Sequence, residues 1–222
     1  MRPHLTKAIV CGASIRLVLG ALSLAMLCSC ADRKIRKILV QSNPGLRSDH
    51  QRLVRWPLPV LVNTAGIARA EEALANVERL TGGAVRFQKV PHIPASGIVF
   101  VEGGAMNGDG SPGCGHVSGG APGQVQVAFR YDEQSQLNGV YYVHLGSTRC
   151  PDSLRGKRRS AVAEHELAHA LGLATHFEDF SGNEGVSAER VRAVIYSLYR
   201  NPIGTVRDDL KIFQAPGEID LH

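Results

Sequence analysis

The chain has 222 residues, a mass of 23.9 kDa, 44% hydrophobic and 20% charged residues. That composition excludes a disordered or fibrous chain and leaves room for one generous domain or two small ones. The formal charge of +5 points at first to an anionic partner, yet residues 1–29 hold Arg2, Lys7 and Arg16 and no acid. The rest carries 22 basic against 20 acidic residues, and a net +2 is no footprint for nucleic acid. No nucleic-acid partner is expected.

An apolar run of 11 residues, Leu17 to Leu27, follows those three cations. It suits the core of a signal peptide and is too short to cross a bilayer as a helix. The run ends in Leu27-Cys28-Ser29-Cys30, which resembles the lipobox of bacterial lipoproteins, with Leu three places before the cysteine and a small residue one before. The resemblance implies a signal peptide over 1–29, lipid on Cys30 and a cell-envelope location. Asp32 falls one place later than the Asp associated with inner-membrane retention, so the outer membrane is the expected address. A plain secretory signal is the alternative.

Of five cysteines, Cys11 and Cys28 leave with the signal and Cys30 takes the lipid. Cys114 and Cys150 remain, an even number in an oxidising compartment, and one disulfide between them is expected. A metal-binding pair is the weaker reading, because no CxxC spacing accompanies them.

Asp32 to Gln51 is polar and basic and reads as a tether, so residues 30–54 are assigned to the lipidated cysteine and its linker, and 55–222 to the domain. Leu58 to Val62 predicts a first strand, with its prolines at the start. Ile67 to Leu80 places Ile67, Ala70, Leu74 and Val77 on one helical face, and Gly82-Gly83 ends it. Strands are expected at Ala84–Val90, Gly97–Val101, Val125–Tyr131 and Val140–Leu145, and a long loop over Gly103–Gly123. A helix over Arg158–Leu171 is stopped by Gly172. The last helix starts near Ser187, with Val191, Val194, Ile195 and Leu198 at i, i+3, i+4 and i+7, and Asn201-Pro202 closes it. This order predicts a single α+β domain.

The chemistry lies in His165-Glu166-Leu167-Ala168-His169. On a helix the two histidines stand about 40° apart, so both imidazoles can meet one ion, and Glu166 flanks the same face. Two neutral imidazoles suit Zn²⁺, and a carboxylate beside the ion can take a proton from water bound to it.

With Gly172 and His176, this stretch resembles the zinc signature of the metzincins, particularly the matrixins, whose pattern is HExxHxxGxxH. Arg55-Trp56-Pro57, the helix near Ala73 and the strands holding Val85-Arg86-Phe87 and Ile98-Val99-Phe100 follow the matrixin element order. The resemblance covers roughly residues 55–200. It implies a metzincin-like fold: a twisted, mainly antiparallel-edged sheet of about five strands, three helices, and the zinc site on the second helix. The family's third histidine falls at Thr175 here, and His176 is one residue late. The family's methionine turn beneath the metal is also missing, since no methionine follows Met106. The chain reads either as a divergent relative whose hydrophobic floor uses another residue, such as Ile195 or Leu198, or as a zincin of another lineage.

The resemblance implies zinc on His165, His169 and His176, with Thr175, Glu178 and Asp179 as other candidates for the third ligand. It implies Glu166 as the base, a peptide or protein substrate paired along Val125–Tyr131 or Gly115–Gly119, and a monomer. Tyr196 and Tyr199 are candidates for oxyanion contact, with packing the favoured role. His92, His116 and His144 are candidates for substrate contact or a second metal, again behind structural roles. Asp109, Asp132 and Glu133 lack a regular calcium spacing, and Arg155 to Arg159 reads as a solvated helix start. A zinc endopeptidase is the expected function. A noncatalytic zinc-containing envelope lipoprotein and a zinc amidase acting on cell-wall peptides stay open beside it.

Overall fold

Val60–Asn63 (β1) alternates buried with half-buried residues, the pattern of a strand packed on one face. Ala68–Leu80 (α3) follows, its Ala70, Ala73, Leu74, Val77 and Leu80 all buried. It carries the chain back so that Phe87–Lys89 (β2) pairs with β1 in parallel, as a helical crossover requires. Gly97–Glu102 (β3), Gly115–Gly119 (β4) and Val140–Leu145 (β5) complete a five-stranded sheet in the order β2-β1-β3-β5-β4. β1, β3 and β5 run parallel, and β4 pairs antiparallel with β5 at the edge. This computed structural model describes residues 30–107, 111–119, 128–146, 160–180 and 185–216.

The α+β class and the five strands match the sequence reading. The strand directions do so in part. Among the described residues the antiparallel edge is at β4, because the α3 crossover makes the opposite edge, β2, parallel. β4 itself lies inside the stretch expected to be a loop. Its glycines have little strand preference, and pairing with β5 from Gly115↔Leu145 to Gly119↔Tyr141 overrides that. Of the strand expected at Val125–Tyr131, the described part is 128–131, where Tyr131 makes one isolated bridge to Leu137.

The tether is the larger correction. Residues 30–42 are helical (α1), and a short helix, Pro44–Arg47 (α2), follows with Asn43 as its N-cap. Ile38, Leu39 and Leu46 are buried in the same core as the sheet and α3. Among the described residues the helices therefore number five rather than three, and the core begins well before Arg55.

Ala161–Ala170 (α4) is buried on nearly every side. Glu189–Arg200 (α5) buries Val191, Val194, Ile195 and Leu198 in the same core, with Asn201 as its C-cap, where the periodicity predicts the end. The motif helix thus sits in the middle of the molecule, which fixes its side chains by packing.

Candidate metal centre

α4 holds His165, Glu166 and His169, and its C-terminus is fastened from three directions. Trp56 donates its indole N–H to the Ala170 carbonyl at 2.8 Å, and the Tyr199 hydroxyl donates to the Leu171 carbonyl at 3.1 Å. Gly172, at φ +115°, turns the chain. Its N–H donates to the His169 carbonyl at 2.9 Å and that of Leu173 to Ala168 at 3.3 Å, the paired bonds of a Schellman cap. Carbonyls that a helix end leaves unpaired are thereby satisfied.

Beyond the cap the loop returns to the helix. His176 Nε2 lies 3.1 Å from His165 Nε2 and 3.2 Å from His169 Nε2. Ligand atoms of the three residues all fall within 4.8 Å of one another. The extra residue relative to the HExxHxxGxxH pattern is absorbed in this turn, which brings His176 to the cluster. Asp179 points elsewhere, to Arg190 Nη1 at 2.8 Å, and Glu178 pairs with Lys34 at 2.9 Å and Arg190 at 3.0 Å.

The donor set fits a cation. His169 Nδ1 lies 2.5 Å from the Leu173 carbonyl, an acceptor only, so Nδ1 carries the proton and Nε2 a bare lone pair. Burial holds His169 at a pKa of about 4, with the Leu173 bond opposing and His176 adding to the shift, so its neutral form prevails. His176, more open to solvent, is lowered by burial as well. One His176 nitrogen has at most one proton and cannot satisfy both neighbouring nitrogens. An ion between them can: three nitrogens tetrahedrally placed on zinc stand about 3.3 Å apart. The cluster can hold a metal ion.

Glu166 is 8% exposed, and burial pushes its carboxyl up to about 8. Gly115 of β4 lies against it. A Cβ there would stand 2.7 Å from Glu166 Cγ and 2.8 Å from Oε1, so only glycine lets the edge strand approach. Glu164, fully buried, accepts from the Asn76 amide at 2.9 Å, the Ser160 hydroxyl at 3.0 Å and the Val186 N–H at 3.2 Å. It fixes the helix directly before His165.

Ile195 and Leu198 lie in the core, and the ring packed against all three imidazoles is that of Phe180. Phe180, Glu164 and the Trp56 bond escaped the sequence reading. Only Phe180 had a local signal, as half of an apolar pair, Phe177 and Phe180, flanking two acids.

Other candidates lie apart from the cluster. Tyr199 uses its hydroxyl on Leu171, and Tyr196 lies beneath the Arg200 guanidinium at 5.9 Å. His116 and His144 stack on β4 and β5, with centroids 4.4 Å apart. His92 and Glu133 are exposed, and Asp132 accepts from the Gln136 N–H. Asp109 and Arg155–Arg159 lie outside the described residues. Cys114 is disulfide-bonded, its expected partner Cys150 also lies outside them, and Cys30 is exposed with a free thiol. No helix among the described residues is long and apolar enough to cross a membrane. A scan against protein-family models finds no match for this chain, and a search of curated proteins finds none either.

Proposed function

We propose that this chain is a zinc-dependent endopeptidase with a matrixin-like site, acting on extended peptide or protein substrates as a monomer. The observation that carries the reading is the convergence of His165, His169 and His176 through Nε2 atoms 3.1 and 3.2 Å apart, beside the buried Glu166. Zinc is the natural occupant of three neutral imidazoles, and when bound it supplies Lewis acidity toward a peptide carbonyl and toward water.

Glu166 is the base. Burial alone raises its carboxyl to about 8, and a dication nearby favours the carboxylate again. Its carboxylate takes a proton from water entering the site and returns it to the nitrogen of the departing chain. A noncatalytic metal protein has no use for an acid at this position. β4 is the sheet's edge strand, and an extended peptide adding to it would be held by its own backbone.

Lipid on the exposed Cys30 would hold the enzyme at the outer membrane. Unaltered membrane partitioning of Cys30→Ser would defeat that part of the reading.

Metal analysis of the purified protein, paired with a peptide-library digest and a digest of cell-wall stem peptides, tests the function. Stoichiometric zinc with cleavage inside library peptides supports the endopeptidase. Zinc without any cleavage favours the noncatalytic envelope protein, and release of stem peptides alone favours the amidase.

A further inference from the structure

The Phe180 ring is fully buried, with its centroid 4.5 Å from that of His165, 4.7 Å from His169 and 5.6 Å from His176. One side chain therefore touches every member of the cluster. A tight turn puts it there. The Phe180 N–H donates to the Phe177 carbonyl at 2.8 Å, and Asp179 between them takes φ +72°. The turn is fastened outside by Arg190, which meets both Glu178 and Asp179, and inside by Phe177, whose ring lies 5.1 Å from that of Phe180.

Three imidazoles that must point their lone pairs at one spot repel each other without an ion. Each also has rotamers that would relieve the crowding. Hydrogen bonding fixes His169 through Leu173, but His176 sits on an exposed loop. A flat apolar surface pressed against all three rings restricts those rotamers and admits no competing polar group from that side.

We infer that Phe180 is the positioning residue of the metal site, the floor that holds His165, His169 and His176 convergent before an ion binds. The loop after Gly172 thus has two functions, delivering the third ligand with His176 and the support beneath all three with Phe180. The inference rests on reading the triad as a metal centre, and its test separates the two.

Co²⁺ is titrated into the metal-stripped protein against a competing chelator, recording affinity and the visible d–d absorption that reports coordination geometry. Wild type, Phe180→Leu, Phe180→Ala and His169→Ala are compared, with circular dichroism on each metal-free form. Phe180→Ala is expected to bind Co²⁺ about 10–100-fold more weakly, the scale seen when outer-shell support is lost, with an altered spectrum. Phe180→Leu, which restores apolar volume without a flat ring, should fall between Ala and wild type. Wild-type affinity and spectrum in Phe180→Ala overturn the inference, and where that variant does not fold, the same result in Phe180→Leu does so. Wild type that binds no Co²⁺, or binds it as well after His169→Ala, overturns the metal reading and the inference with it.

Discussion

Ala174 donates its backbone N–H to the Ser42 carbonyl at 2.7 Å, joining the loop that carries His176 to the N-terminal helix α1. The Lys34–Glu178 pair at 2.9 Å makes a second, exposed link between the same two segments. Exposed pairs contribute little, so the backbone bond and the packing beneath it carry the connection. The N-terminal segment is therefore a brace for the loop that carries His176 as well as part of the core.

Leu39→Ala tests that brace. Leu39 is fully buried, and truncating such a leucine costs about 2–5 kcal/mol through lost transfer energy and the cavity left behind. Urea unfolding should show a midpoint shifted to lower concentration, with metal affinity reduced in the protein that remains folded. An unshifted midpoint would mean that α1 is a dispensable tether after all.

The spacing that builds α1 is present in the sequence. Ile35, Ile38, Leu39 and Ser42 follow a helical stripe, but Arg33, Lys34, Arg36 and Lys37 lie among them and dominate the composition. Arg36 is no surface charge, since it donates to the carbonyls of Arg207, Asp208 and Leu210. The motif helix was legible because its chemistry depends on spacing within one turn. β4 was not, because a Gly-His-Val-Ser-Gly segment becomes a strand only through pairing with β5, and its partner lies more than twenty residues away. Phe180 was hidden for the same reason: its role depends on two histidines on another element.

Glu164 gives a second stability test. Replacing it with leucine leaves the Asn76 amide, the Ser160 hydroxyl and the Val186 N–H without the acceptor they share. The Asn76 amide keeps a 3.2 Å bond to Ser160 Oγ. The two other donors are stranded at about 1–3 kcal/mol each, so Glu164→Leu should lose at least about 2 kcal/mol. Glu164→Gln keeps one acceptor oxygen and should lose about 1 kcal/mol. Equal unfolding midpoints for the two variants would show that the network contributes nothing beyond volume.

Acid should destabilise the fold through the stacked pair His116 and His144. Burial lowers both pKa values, and for His144 the neighbouring His116 adds to the shift. His116 Nδ1 accepts from the Met106 N–H at 3.1 Å, so protonating it would set two donors against each other. The sign follows from proton counting. Below the ordinary value of about 6.5 the unfolded chain binds protons that the folded chain refuses, so stability falls as pH drops from 6.5 toward the lowered folded values. Above 6.5 neither state is protonated and this contribution is flat. Chemical unfolding of the metal-free wild type and of the His116→Gln, His144→Gln double variant between pH 5 and 7.5 should differ by that slope, the contributions of His169 and Glu166 being common to both proteins. Identical pH profiles for the two proteins would show that the stacked pair contributes nothing to the acid sensitivity.

His176→Ala and Glu166→Ala should fail in different ways, and the difference separates ligand from base. His176 contributes one of the three converging nitrogens, so its loss leaves two ligands and an open flank. Zinc occupancy after dialysis should fall sharply, and peptide hydrolysis should fall with it. Glu166 lies outside that triad, so Glu166→Ala should retain stoichiometric zinc while turnover drops by about 10²–10⁴-fold, the usual contribution of a positioned acid–base group. The two variants also differ under excess metal. Added Zn²⁺ should restore part of the activity of His176→Ala by mass action and none to Glu166→Ala. His176→Ala with full zinc and normal hydrolysis would remove His176 from the ligand set, and zinc loss in Glu166→Ala would move the carboxylate from the proton-transfer role to the metal itself.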